Sequence, residues 1–240
     1  MKHTLSIVTL IAFLLTSCAK QGCKLPSMAV MRQLKEHPVY MYPYTDLSDE
    51  LQKKNISSLS LFVYGSLMDV ASRRKTLPSN DPSKDQLALA FGVQRLFNLD
   101  VAYKEGSPYG PLKSENSRAM LNVRLNSFAD TFINGVIIDI PLSDLPALSK
   151  REECYNLVPI ITADWKEFLH GKLIFSVAYI LIAPEKPGIT SDQIMPRSGY
   201  FEQTESAAKS YGSCFEEFWV NTTYLSDGTT SIAEWLKKHP

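Results

Sequence analysis

The sequence predicts an α+β domain, a small mixed β-barrel or strongly curved sheet flanked by helices. Three observations lead there. Runs rich in branched and aromatic residues recur between Leu59 and Ala183 and read as strands. They do not alternate strictly with helical segments, which excludes a doubly wound parallel sheet. From Tyr200 onward the apolar spacing turns helical.

Leu61-Phe62-Val63-Tyr64 reads as a buried strand that stops at Gly65-Ser66. Leu67 to Lys75 has helical spacing and ends before Pro78. Asn80 to Lys84 is a polar loop, and Leu87–Phe91 and Leu96–Tyr103 are strands. Lys104 to Ser117, polar and containing Gly and Pro, is a candidate rim or lid. Ala119–Leu125 and Phe132–Ile140 are strands around the polar turn Asn126 to Asp130. Ser143 is placed to cap a short helix running to about Glu153. Cys154–Ala163 and Leu173–Ala183 are strands joined by a loop around His170. Pro184 to Ser198 is irregular, and Tyr200–Tyr211 and Phe215–Asn221 are helices. Asp227-Gly228 marks a turn. Ser231-Ile232-Ala233-Glu234 fits a capping box before Trp235-Leu236.

The N-terminus stands apart from this domain. Lys2 and His3 precede an apolar run from Leu5 to Leu15. That run is short of the ~20 apolar residues a bilayer-spanning helix needs, and it suits the core of a signal peptide. It ends in Leu15-Thr16-Ser17-Cys18, which resembles the lipobox of bacterial lipoproteins. The resemblance implies diacylation of Cys18 and removal of residues 1–17. It also implies an exported protein anchored in a bacterial envelope membrane, facing the periplasm or the exterior. The alternative is an ordinary secretory signal cleaved near Ala19. Residues 18–58, broken by Pro38 and Pro43, read as a tether, and 59–240 as the domain.

Lysine plus arginine equals aspartate plus glutamate at 25 each. That balance gives neither a nucleic-acid footprint nor a polybasic membrane patch, so membrane attachment rests on the lipid. After Cys18, the cysteines are Cys23, Cys154 and Cys214. The odd count argues against a disulfide framework, although one pair can form in an oxidising compartment. Cys154, in apolar company, is expected to be buried rather than reactive. His3, His37, His170 and His239 are scattered without metal-ligand spacing, and neither a nucleophile elbow nor a P-loop occurs.

Two segments carry candidate chemistry. At Tyr64-Gly65-Ser66-Leu67 a buried strand turns into a helix. Glycine there permits close backbone approach, and the following amides are donors at a helix N-terminus. A merely structural turn is the plainer alternative. Glu152 and Glu153 end the middle helix just before a buried strand, so one carboxylate can point inward. The plainer alternative is a solvated charge run.

The segments in order resemble the γ-glutamylcyclotransferase superfamily. Leu61-Phe62-Val63-Tyr64-Gly65-Ser66-Leu67-Met68 resembles its opening motif, and Phe91-Gly92-Val93-Gln94-Arg95 its second strand. Ala119-Met120-Leu121-Asn122-Val123 and Gly135-Val136-Ile137 resemble its central strands. Leu148-Ser149-Lys150-Arg151-Glu152 resembles the segment with the catalytic glutamate. Tyr200 with Ala207-Ala208-Lys209 and Gly212 resembles its C-terminal helix. The match runs from about Leu59 to Gly212, leaving the helices from about residue 213 as an extension. The Lys104 to Ser117 loop has no counterpart, and Glu153 stands where many members have glycine.

The resemblance implies a small mixed barrel with Glu152 as acid/base. It implies that the Gly65, Ser66 and Leu67 amides hold substrate, and that Tyr64, Tyr155 and Tyr200 line the pocket. It implies a transferase or lyase that releases 5-oxoproline and a free amine from a small γ-glutamyl substrate, without metal or cofactor. The alternative function is a non-catalytic envelope lipoprotein that uses the same pocket for a small ligand or a partner.

Overall fold

A computed structural model describes residues 57–100, 112, 114–126 and 131–239. The expected signal segment, Cys18, nearly all of the tether and most of the 104–117 loop lie outside these residues. Five strands close a barrel in the order β1, β5, β2, β6, β7. They are β1 (Ser58–Val63), β2 (Gln86–Phe91), β5 (Phe132–Pro141), β6 (Asn156–Asp164) and β7 (Phe175–Ile182). Most of the pairings are antiparallel, for example Leu59 opposite Ile140 and Val158 opposite Ile180. Closure comes from a parallel pairing of β1 with β7, Leu61 opposite Tyr179 and Phe62 opposite Ile180. The barrel is therefore mixed, as expected.

β1 shows how the pattern builds the wall. Its first residues alternate, Ser58 and Ser60 outward, Leu59 and Leu61 inward; then Phe62 and Val63 are both buried. Alternation fits a strand with one wet face, and a continuous apolar run fits one covered on both. Gly135 of β5 lets that strand cross β1 closely. A Cβ there would lie 2.5 Å from both Phe62 Cζ and the Val63 carbonyl oxygen, inside any tolerated contact.

A second sheet, ordered β4, β3, β8, packs beside the barrel. It comprises β3 (Val93–Asp100), β4 (Ala119–Leu125) and the short β8 (Thr223–Leu225). Gly92 carries the chain from β2 into β3 with φ of +71°, a conformation that favours glycine. Arg95 of β3 stitches the sheets together. It is fully buried and donates to Asn134 O and Oδ1, Thr223 Oγ1, Thr222 Oγ1 and Trp219 O. Its guanidinium lies 5.0 Å from the Trp219 ring centroid, and burial holds its pKa well below the usual arginine value. Every one of these acceptors is neutral, so the hydrogen bonds and the ring face offset the burial of the charge.

The helices differ in part from expectation. The Leu67–Lys75 segment is a 3₁₀ turn, Ser66–Met68, followed by α1 (Val70–Arg74). Asp69 separates them because its carboxylate accepts from the Ala71 and Ser72 amides and restarts the helix. Ser143 does not cap α2 (Leu145–Arg151). It lies inside a 3₁₀ turn, Leu142–Asp144, and α2 begins without a side-chain cap. Where a plain loop was expected around His170, α3 (Trp165–Leu169) forms, its Asp164 accepting from the Glu167 amide. α4 (Ser198–Ser210) and α5 (Ser213–Asn221) fall where helices were expected. α6 (Ile232–Lys238) has the capping box between Ser231 and Glu234. The aromatic residues of α5 and α3 interlock, with the Trp165 centroid 5.2 Å from Phe215 and 5.3 Å from Phe218.

Cys154 is a free thiol, half-buried in the turn after α2 rather than in a strand, and burial raises its pKa. Cys214 of α5 is disulfide-bonded, so the odd cysteine count did not preclude a disulfide. No helix among the described residues is long and apolar enough to cross a membrane.

Candidate active site

Two chain reversals meet at one end of the barrel. The first follows β1. Strand pairing with β5 runs to Val63 opposite Val136, and Tyr64 and Gly65 leave the sheet. Met68 N then donates to Gly65 O at 2.9 Å and closes the 3₁₀ turn. The start of such a turn leaves its early N–H groups without intrahelical partners. The second follows α2. Glu152 is the helix C-cap, its amide donating to Leu148 O, and Tyr155 N donates back to Glu152 O at 2.9 Å. That tight turn feeds β6 and sets the Glu152 and Tyr155 side chains into the same hollow.

The hollow encloses about 310 Å³ of empty space counted out to its open mouth, solvent included. All seven residues expected to form the site line it: Tyr64, Gly65, Ser66, Leu67, Glu152, Tyr155 and Tyr200. Apolar side chains such as Leu121 and Leu181 supply the rest of its wall. Glu153, the neighbouring carboxylate, is exposed and does not line it, so Glu152 is the one of the pair that faces the hollow.

The tyrosines are fixed walls. Tyr64 Oη donates to Leu181 O at 2.7 Å and Tyr155 Oη to Leu121 O at 2.7 Å. Burial, with Tyr64 and Tyr200 beside it, pushes the Tyr155 phenol well above its usual range, so it stays protonated. Tyr200, near the start of α4, stacks edge-on to Phe97 at 6.4 Å. Its hydroxyl reaches over Gly65, where an added Cβ would lie 2.8 Å from it.

The Glu152 side chain is 13 % exposed. Burial raises its pKa above the usual carboxylate value, and the charge and hydrogen bond of Arg151 oppose that rise. Arg151 Nε lies 2.9 Å from Glu152 Oε1. The same guanidinium donates from Nη2 to Ser66 Oγ and Ser72 Oγ, and from Nη1 to the Ser72 carbonyl and Thr76 Oγ1. Sequence reading did not single out Arg151, although it directly precedes Glu152. Its other partners, Ser66, Ser72 and Thr76, lie far off in the chain, and only folding brings them within reach. The result is a buried carboxylate with a raised pKa, in a hollow walled by tyrosines and apolar side chains, beside the Gly65–Met68 turn. Among the described residues no cluster of His, Cys, Asp and Glu is arranged to hold a metal ion.

Comparison with known proteins finds no matching family model and no matching curated protein. Among solved structures, a γ-glutamyl cyclotransferase is similar at 13 % identity, covering 76 % of this chain and 97 % of that one, with a TM-score of 0.48. YkqA from Bacillus subtilis is similar at 19 % identity over 79 % of this chain and 56 % of its own, with a TM-score of 0.46. An uncharacterized human protein is similar at 16 % identity over 68 % of this chain and 86 % of its own, also with a TM-score of 0.46.

Proposed function

We propose that the chain is a γ-glutamylcyclotransferase-type enzyme acting on small γ-glutamyl compounds. One observation carries this reading: Glu152 and the Gly65-Ser66-Leu67 turn share a hollow walled by Tyr64, Tyr155 and Tyr200. That is the constellation the sequence resemblance implies.

The chemistry is an intramolecular aminolysis. The substrate's α-amine attacks its own γ-carbonyl carbon, the C–N bond to the departing amine breaks, and a five-membered lactam forms. The products are 5-oxoproline and a free amine. Because the nucleophile belongs to the substrate, no serine or cysteine nucleophile is needed, and the raised thiol pKa of Cys154 fits that. The site holds the glutamyl unit folded in a near-attack shape, and such alignment lowers barriers by ~7–11 kcal/mol. Fixed tyrosines suit that task. The Gly65, Ser66 and Leu67 amides bind the substrate's carboxylate or carbonyl oxygen. Glu152 accepts a proton from the α-ammonium and returns it to the leaving amine. Burial, which raises its pKa, makes it a better base than a solvated carboxylate, while Arg151 keeps it ionised often enough to work.

The same proposal includes export. The Leu15-Thr16-Ser17-Cys18 motif marks Cys18 for lipid attachment, and the disulfide at Cys214 suits an oxidising compartment. The membrane is then reached through lipid, with the domain in the periplasm or outside the cell.

The test is 5-oxoproline release, followed by mass spectrometry, from matched γ-L-glutamyl amines with free and N-acetylated α-amines. Release from the free amine alone is expected, with a loss of at least ~10²-fold in Glu152→Gln. An N-acetylated amine has lost the lone pair that attacks. Cleavage of the acetylated substrate would mean that water or a protein group is the nucleophile, and the assignment would fall.

A further inference from the structure

Among the described residues, Arg151 is the charged side chain that touches both halves of the site. Its Nε holds Glu152 Oε1 at 2.9 Å. Its Nη2 reaches Ser66 Oγ at 3.1 Å, in the turn after Gly65. Three further bonds, to the Ser72 carbonyl, Ser72 Oγ and Thr76 Oγ1, fasten the same guanidinium to α1 and the turn that follows it. Five contacts from one planar fork leave it little freedom, and a lysine ammonium on its flexible stem cannot reproduce them. Glu152 is the C-cap of α2, and among the described residues its side chain pairs with Arg151 alone. Arg151 itself is mostly buried, its side chain 20 % exposed.

We propose that Arg151 is a positioning residue: it fixes the Glu152 carboxylate against the Gly65–Met68 turn, so that the acid/base and the substrate-binding amides act as one rigid unit. This rests on the cyclotransferase reading for its catalytic consequence, but not for its geometry. The other titratable groups facing Glu152 are Tyr64, just after β1, Tyr155 and Cys154 in the turn before β6, and Tyr200 of α4; burial raises the pKa of both Cys154 and Tyr155, which keeps them neutral. Glu153 is exposed outside the hollow. The charge that holds Glu152 ionised against burial is therefore that of Arg151, and its loss moves the Glu152 titration to higher pH.

The experiment uses the mature protein with Arg151→Met and Arg151→Lys, each checked for folding by near-UV circular dichroism. The Glu152 titration is read by carbon NMR on glutamate-labelled protein without substrate, with Glu152→Gln to assign the signal. Arg151→Met is expected to move the midpoint up in pH. Arg151→Lys is expected to leave it near wild type, because the charge remains. In turnover of a γ-L-glutamyl amine, Arg151→Met should lower kcat at least ~10-fold, with the acidic limb of the kcat profile displaced upward. Arg151→Lys should keep the limb and recover only part of kcat, since a point charge cannot hold Glu152 and Ser66 together. An unmoved Glu152 midpoint in folded Arg151→Met overturns the proposal. If the methionine variant does not fold, wild-type kcat in Arg151→Lys overturns it. Failure of wild-type protein to release 5-oxoproline overturns the proposed function instead, and the NMR titration still decides the role of Arg151.

Discussion

Replacing Gly65 with alanine tests whether the turn and Tyr200 are matched parts of one site. Gly65 has φ of −129°, outside the left-handed region, so the substitution acts through space rather than through backbone strain. Its new Cβ would lie 2.8 Å from Tyr200 Oη, whereas ordinary contact begins at 3.4 Å. The hydroxyl must therefore yield by about 0.6 Å. Tyr200 is only 3 % exposed and its ring is held edge-on by Phe97, so the movement spreads into packed neighbours. Such overpacking costs ~1–3 kcal/mol. The next atoms, Leu121 Cδ1 at 3.6 Å and Cβ at 3.7 Å, are in ordinary contact, so the hydroxyl alone carries the clash. Tyr200→Phe removes it. The double variant should then be more stable than the two single effects sum to, by on the order of 1 kcal/mol, within the range seen for residues in contact. The assay is urea unfolding of wild type, both single variants and the double variant. Strict additivity would refute the reasoning and put the cost of Gly65→Ala elsewhere.

The Glu152→Gln variant should unfold at an equal or higher urea midpoint than wild type at pH 7. A carboxyl with a raised folded pKa binds its proton more tightly folded than unfolded, so ionisation above that pKa costs stability. The advantage should vanish as pH falls below the unfolded value of about 4.5, and an advantage that grows on acidification contradicts the assigned direction. Gly135→Ala should cost ~3 kcal/mol or more because both 2.5 Å neighbours lie in β1 and one is backbone. A small shift in the urea midpoint would show that the barrel can relax there. Cys18→Ser should abolish lipid labelling and membrane association, and unchanged labelling would place the lipid on another residue.

Much of the fold could be read along the chain because its signals are local. Ser231 and Glu234 announce α6 through a reciprocal cap three residues apart, and β1 announces itself by the branched and aromatic run Leu61-Phe62-Val63. The failures were of two kinds. Asp164-Trp165-Lys166-Glu167 carries a local cap signal for α3, where a plain loop was expected. β8 had no comparable local signal. Three residues, Thr223 to Leu225, become a strand because Arg95, Leu96 and Phe97 offer a parallel partner, and a strand that short exists only where a neighbour supplies the hydrogen bonds.

The site divides the same way. The sequence by itself determined which residue types were available: a glycine turn after a buried strand, two adjacent glutamates ending a helix, and tyrosines at Tyr64, Tyr155 and Tyr200. Only the tertiary structure decided that these share one hollow, that Glu152 rather than Glu153 faces it, and that Arg151 joins it to Ser66. The reason is that a side chain's orientation at a helix end depends on where the next strand must go. The i to i+3 turn from Glu152 to Tyr155 is set by the pairing of β6 with β2 and β7. Likewise the charge state of Glu152 depends on burial and on a guanidinium pinned by α1, terms that arise when distant segments pack and that no local stretch of sequence contains.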